Sequence, residues 1–422
     1  EDSVSGDAQT AVANTSGASG APETPARGLV SAQIHRILDN IRAGEFGSWP
    51  IIIALIIISS FFYSKNTLFL SGSNLITVIE QVAPLATLAI GVTFVLLIAE
   101  IDLSVAFLSA LTGSVLVAEL STRHAHLSGL IVIPIAITAG ALFGMVQGMS
   151  VAYLRVPSFV VTLAGLLVAE GIVLKSIGSV PIYLNDKWIL DLELYTFTRN
   201  LSWIIAAIVS VLYALAVLNA LFGRRRQKIA IGSLWFALLK VVVVSGAMFG
   251  VVAWVNRARG GRGLPLALVI VLILIAFWTF IATRTTFGRH VYAVGGNAEA
   301  ARRAGINVAR IKILVFMISG VMATISGAMD ASRHVSAYPL AGSDPLLMYA
   351  IAAAVIGGTS LFGGRGQVKG ALLGALVIML IDNGCNLLGY SSSTRFIATA
   401  LILLAAVTLD AVARRRQAAA GR

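Results

Sequence analysis

The sequence predicts an all-α, polytopic membrane helix bundle of about twelve spans, each roughly the 20 apolar residues that a bilayer crossing requires. Three observations carry that prediction. Hydrophobic residues make up 58% of the 422 and charged residues only 12%, against about 25% charged in soluble domains. Apolar runs of spanning length recur from residue 46 to residue 412. The basic residues behind the net charge of +12 cluster at the ends of those runs, as the positive-inside rule expects. They form no basic stripe interleaved with aromatics, so nucleic acid is not the expected partner.

In chain order, residues 1–45 are polar and rich in Ala, Gly, Ser and Thr, the composition of a disordered tail. Within it Ile34, Ile37, Leu38 and Ile41 fall on one side of a short amphipathic helix at the membrane surface. The first apolar run starts too far along to be a signal peptide. Spans are expected near 46–64, 75–98, 104–121, 127–152, 158–178, 202–222, 234–255, 264–283, 311–331, 345–361, 367–388 and 394–412. The short runs near 104 and 345 are candidates for half-helices. An even count puts both termini on the cytoplasmic face. Arg224–Arg226 with Lys228, the polar stretch 283–312, and Arg414–Arg416 in the basic tail 414–422 share that face. The loop 256–263, with Arg257, Arg259 and Arg262, is the exception and falls outside. Gly140, Gly144 and Gly148, and again Gly366, Gly370 and Gly374, recur every four residues, a spacing that lets helix backbones approach closely in lipid. Cys385 is the only cysteine, which excludes an intramolecular disulfide.

The polar stretch TRTTFGRHVYAVGGNAEAARRAGINVARIK, residues 283–312, interrupts the apolar pattern for longer than any other in the last two-thirds of the chain. Its middle predicts a short helix with both ends marked. Asn297 is a good N-cap, Glu299 in the first turn and Arg302 and Arg303 in the last suit the helix dipole, and Gly305 stands where a left-handed C-cap residue is usual. So short a helix is marginal alone in water, which points to a surface element held by a partner.

Two other segments break the run of plain spans, GVTFVLLIAEIDLSV (91–105) and IGGTSLFGGRGQVKGALLG (356–374). Interrupted helices in corresponding halves point to a transport path. Carboxylates beside the bilayer are costly and informative; Glu80, Glu100, Asp102, Glu119, Glu170, Asp330, Asp344 and Asp382 all lie within or next to spans. Asp102 is either the cap of a helix beginning near Ser104 or a substrate contact. Glu100, Ser104, Ser158, Thr162, Asn383 and Asn386 complete the candidate path; Pro157 reads as a helix start, and the two Asn residues serve equally as glue between helices. The histidines show no zinc-ligand spacing. No phosphate-binding loop is present, and GGRGQVKG lacks both the spacing and the hydroxyl after its lysine. Active transport would therefore draw its energy from a partner or an ion gradient.

AEIDLSV (99–105), VPSFVVTLAG (156–165) and residues 283–312, extended by GGTSLFGGRG (357–366) and LIDNGCNLLG (380–389), resemble the membrane permeases of bacterial carbohydrate ABC importers, of the ribose, xylose and galactose type. The similarity runs from about residue 46 onward and is greatest to the D-xylose permeases. It implies an inner-membrane permease with a ten-span core, to which the pair at 202–255 would be an insertion. It implies a permease that forms a homodimer, or pairs with a similar subunit, around a central path, together with a periplasmic sugar-binding protein and a cytoplasmic ATPase that uses ATP and magnesium, neither cofactor being bound by this chain. The loop at 284–310 would be the ATPase-coupling element, with Gly288, Arg289, Gly295, Gly296, Asn297, Glu299, Ala300, Ala301, Arg302, Gly305 and Asn307 as its residues. Ala106 and Phe107 depart from the glycine usual after DLSV. An ion-coupled secondary sugar transporter is the competing expectation, and an intramembrane enzyme lacks a nucleophile or metal set beside its acids.

Overall fold

The computed structural model describes residues 49–178, 180–226, 234–257, 263–339, 342, 345–401, 404 and 408. The N-terminal tail with its stretch 34–41, Lys228, Arg259, Arg262, Asp344 and the basic tail 414–422 lie outside the described residues.

Helix α1 (Trp49–Lys65) leads through a 3₁₀ turn to α2 (Gly72–Leu97), which Ser71 caps by accepting the Asn74 N–H. Helix α3 (Val105–Arg123) includes π-helical turns over Ser109–Val115 and Glu119–Arg123. Then come α4 (Gly129–Tyr153) and α5 (Ser158–Ile177), a short strand β1 (Ile182–Tyr183) and a short helix α6 (Lys187–Leu194). The apolar helices α7 (Arg199–Arg226), α8 (Leu234–Val255) and α9 (Leu266–Arg284) precede α10 (Thr286–Gly296) and α11 (Ala298–Arg303). Helix α12 (Val308–His334) leads to β2 (Ser336–Ala337), which pairs antiparallel with β1. Helices α13 (Leu346–Ile356) and α14 (Gly370–Leu387) come next, and residues 392–401 are helical. Among the described residues nine helices are long and apolar enough to cross a membrane, with α13 and α1 as shorter apolar helices.

The described helices fall within about five residues of the first eleven expected runs, while the run at 394–412 is helical over 392–401 and lies largely outside the described residues beyond that. At 11 residues α13 has the length of a half-helix. Helix α3 does not: it continues for 19 residues. Two of its buried hydroxyls turn back onto the helix, Ser109 donating to the Ala106 carbonyl at 2.7 Å and Thr112 to the Leu108 carbonyl at 2.8 Å. The β1–β2 pair, α6 and α10 are elements that the apolar pattern alone did not reveal, because each is short and lies in a polar connection.

The centre of the bundle is α12, which packs on α2, α3 and α4. The reason lies in its small residues. A Cβ at Gly140 would stand 2.6 Å from the Gly320 carbonyl oxygen, and one at Gly144 would stand 2.2 Å from that of Phe316. Gly148 meets Ile313 in the same way. Lipid tails are as apolar as leucine, so such close backbone approach, with its dispersion contacts, is what joins these helices. The hydroxyls of Thr112 and Thr324, 2.7 Å apart, add a hydrogen bond between α3 and α12. The row in α14 works similarly, Gly370 lying against Gly357 and Gly374 against the Ala353 carbonyl. Helices α7 and α8 pack chiefly on each other, with Val255 reaching Ile76 and Ile79 of α2.

Gly144→Val should overpack the α4–α12 contact and cost about 1–3 kcal/mol. Gly171→Ala, where a new Cβ meets nothing within 4 Å, should stabilise α5 by up to about 1 kcal/mol. Thermal unfolding of the purified chain in detergent checks both.

Candidate functional site

The two breaks marked out in the sequence and the polar stretch 283–312 meet at one end of the bundle. The first break runs from Ile98 to Ser104. Ala99 has φ 59°, the left-handed conformation that ends α2, at a steric cost to a residue with a Cβ. Beyond Ala99 the backbone leaves the helical ladder, so its polar groups need other partners. The Ile101 N–H donates to the Ser158 hydroxyl at 3.2 Å, and the Thr162 hydroxyl, which bonds the Ser158 carbonyl of its own helix at 2.9 Å, also lies 3.3 Å from the Ile101 carbonyl. Asp102, 4% exposed, accepts on Oδ1 from the Ser104 N–H (3.0 Å) and hydroxyl (2.6 Å), and on Oδ2 from the Ser319 hydroxyl (2.7 Å). Gln147 of α4 donates to the Ser104 hydroxyl at 3.0 Å. Asp102 thus caps the turn into α3 and fastens it to α12. Asp102, Ser104, Ser158 and Thr162, expected along a path, here join four helices through bonds among themselves, to Ser319 and Gln147, and to the Ile101 backbone.

The second break, between α13 and α14, is shaped by glycines. Gly358, Gly363 and Gly364 have φ of 91°, 79° and 69°, a region where only glycine is unstrained. The Gly364 N–H donates to the Leu97 carbonyl at 2.9 Å, so the end of α2 and the second break are directly hydrogen-bonded.

The polar stretch forms two consecutive helices where one was expected. Thr285 caps α10 by accepting the Gly288 N–H at 3.2 Å. Gly288 is required there, since a Cβ would lie 2.2 Å from the Ala282 carbonyl oxygen at the sharp turn out of α9. Asn297 ends α10 and begins α11, its side chain accepting the Ala300 N–H at 2.9 Å. The C-terminus of α11 is a full Schellman closure: Gly305, at φ 84°, donates to the Arg302 carbonyl and Ile306 to that of Ala301, both at 3.0 Å. Asn307 then caps α12 through the Arg310 N–H at 2.9 Å. The sequence missed α10 because its alternating glycines and polar residues hide an apolar face, Val291 and Val294, that becomes meaningful only against the bundle.

That face brings Gly295 between the two breaks. A Cβ on Gly295 would lie 1.7 Å from the Leu97 carbonyl oxygen and 2.7 Å from the Gly364 nitrogen. Tyr292, one turn earlier, donates its hydroxyl to the Gly366 carbonyl at 2.9 Å; burial pushes the phenol above its ordinary range, which keeps that proton in place. Ala301 anchors α11 with its buried methyl, while Arg289, Gly296, Asn297, Glu299, Ala300, Arg302, Gly305 and Asn307 stay exposed or partly so. Glu299 bonds Arg302 at 2.7 Å and Arg303 at 3.4 Å, exposed pairs worth about 0–1 kcal/mol each.

Glu100, in the first break, forms an ion pair with Lys312 in the first turns of α12. Both line a cleft of about 720 Å³ with Arg155, Ser158, Arg302 and Asn307. A lysine just inside an apolar helix is costly unless paired, the signal by which sequence could have matched Lys312 to Glu100. Asn383 and Asn386 do not join this site. Asn383 exchanges amide hydrogen bonds with Asn74 at 2.8 and 3.2 Å, stapling α14 to the start of α2. Asn386 donates to Asp382, which also pairs with Arg395. Both stand more than three turns along α14 from the glycine break, roughly 20 Å away.

Glu100→Lys should destabilise the purified chain by about 1–3 kcal/mol, the range between exposed and buried pairs. The exchange Glu100→Lys with Lys312→Glu should recover most of it, as read by denaturation in lipid nanodiscs.

The family model described as branched-chain amino acid transport system / permease component matches residues 74–406. The chain is 36% identical over 372 residues to the xylose transport system permease protein XylH of Escherichia coli (strain K12), spanning 86% of this chain and 92% of that protein. It is 33% identical over 368 residues to the protein of the same name in Haemophilus influenzae, spanning 85% and 94%. It is 32% identical over 360 residues to the ribose import permease protein RbsC of Escherichia coli (strain K12), spanning 85% and 92%. No solved structure matches. With a family match across three-quarters of its length and nine helices of spanning length among the described residues, the chain is a multi-pass membrane protein that belongs to the family of branched-chain amino acid transport system permease components.

Proposed function

We propose that this chain is the membrane-spanning subunit of an ATP-driven importer that moves a monosaccharide, D-xylose in first place, across the inner membrane. The observation that carries the reading is Gly295, wedged without slack between Leu97 and Gly364. A load applied from the cytoplasm to the exposed face of α10 and α11 moves Gly295, and both helix breaks move with it. The interiors of proteins are close-packed, so a backbone contact tighter than any side chain allows transmits displacement and does not absorb it. Relatives named for xylose and ribose supply the substrate class, since both sugars are pentoses.

In this reading the energy comes from a cytoplasmic ATPase subunit using ATP and magnesium, which seats on α11 and its flanking caps. A periplasmic binding protein delivers the sugar to the opposite end, and two copies of the chain enclose the path. The chain itself catalyses nothing. The breaks are the moving parts: their hydrogen bonds to Ser158, Thr162 and Ser319 hold one conformation and are exchanged in the other.

Reconstitution tests the proposal. D-xylose uptake into proteoliposomes should require the chain, the ATPase, the binding protein and ATP together, with D-ribose a weaker substrate. Uptake by the chain alone that collapses with an uncoupler would establish an ion-coupled carrier instead. Ala300→Pro with Ala301→Pro removes two N–H groups that both bond Asn297, at a cost of about 3 kcal/mol or more to the helix. Sugar-stimulated ATP hydrolysis should fall to the basal rate while membrane insertion is unchanged. Preserved stimulation would move the docking element elsewhere.

A further inference from the structure

At the end of the bundle opposite the coupling stretch, α6 lies against α12, α4 and α9. Its Glu193 is 0% exposed, and neither carboxylate oxygen has a hydrogen-bond partner. The position is fixed by neighbours and not by the carboxyl group. The Glu193 N–H donates to the Ser332 hydroxyl at 3.1 Å, and that hydroxyl donates to the Leu190 carbonyl at 2.8 Å. Ser332 thus clasps α6 onto α12 and carries the carboxyl into the bundle.

The charges that face it are mixed. From α12 come Asp330 and Arg333, and from α2 comes Glu80, whose like charge opposes ionisation of Glu193. The charge of Arg333 favours ionisation of Glu193, yet the guanidinium makes no hydrogen bond to it: its Nη2 donates to Asp330 at 3.3 Å and meets His334. Helices α4 and α9 bring only Tyr153 and Arg284, at the ends remote from α6. A buried carboxylate without hydrogen bonds or a bonded counter-ion is too costly to stay ionised and takes up a proton instead. Among the described residues no three acidic, histidine or cysteine side chains converge as a metal ion would need.

We propose that Glu193 is a proton-binding site, and that the bound proton keeps α6 seated on α12. Burial raises the carboxyl of Glu193 well above the ordinary value of 4.5. A raised folded-state value means that the proton's contribution to stability is complete below the unfolded value and is lost as pH rises through the folded one. Alkaline pH on that face of the protein therefore loosens α6. The coupling stretch and the transported substrate play no part in this, so the proposal stands or falls independently of the transport reading.

The test uses the full chain in lipid nanodiscs, with pH as the only ligand varied. Between about pH 5 and pH 9 the wild-type melting temperature should fall by a few degrees, whereas Glu193→Gln, which keeps the shape of the protonated acid, should lose most of that slope. A protonated-carboxyl stretch should be present near neutral pH in the infrared spectrum of the wild type and missing from E193Q. Glu80→Gln removes a like charge and should move the loss of that band to lower pH. Equal pH profiles in wild type and E193Q, or an infrared band that E193Q retains, would overturn the proposal. Should E193Q fail to accumulate, titration of the band in wild type and E80Q decides: a band that titrates near the ordinary carboxyl value, or does not respond to E80Q, refutes it.

Discussion

A helix that stops within a bundle leaves backbone groups without their helical partners, and this protein is arranged around satisfying them. The end of α2 is the clearest case. The left-handed Ala99 turns the chain out of α2, and the backbone groups at that turn are met by Ser158 and Thr162 of α5 and by the Gly364 N–H, while Ser319 of α12 holds the Asp102 carboxylate. These partners come from three separate parts of the chain, so the break can exist only when the bundle is assembled. The glycines answer the same demand. They are needed where one backbone must lie directly against another, as at Gly295 and Gly364.

That arrangement gives the molecule two ends with different physics. At the end that holds α10 and α11, backbone approaches backbone with no room for a side chain, and exposed charges on α11 surround a buried Ala301 anchor. At the opposite end, charged side chains replace the glycines: Glu80, Asp330, Arg333, Asp382 and Arg395, with Glu193 fully enclosed. Helix α12, about 40 Å long at 1.5 Å per residue, joins the two ends, beginning at the Glu100–Lys312 pair and finishing at Arg333 and His334.

Much of this was legible from residues alone. Spanning runs are set by apolar length, because a lipid-facing helix needs little beyond its own hydropathy. The caps of α11 were legible as well, since Asn297 and Gly305 act on neighbours three to five positions away. The π turns of α3 were hidden, as was α10, whose buried side depends on partners over 60 residues distant. Asp102 read equally well as a cap or a contact; its bond to Ser319, 217 positions away, was not legible in the sequence. Glu193 stands in a polar connection with nothing local to mark it, although tertiary burial leaves its carboxyl fully enclosed.

The sequence by itself determined the membrane class, the order of the spans, the close-packing glycine rows and the local grammar of the polar stretch, all properties decided over a few helical turns. Only the tertiary structure decided that the two breaks bond each other, that Gly295 lies between them, that Glu100 belongs to Lys312, and that Asn383 holds α14 to α2. Those are pairings between distant segments. A helix's hydropathy constrains its existence strongly and its neighbours weakly, because lipid and protein interiors are nearly equally apolar.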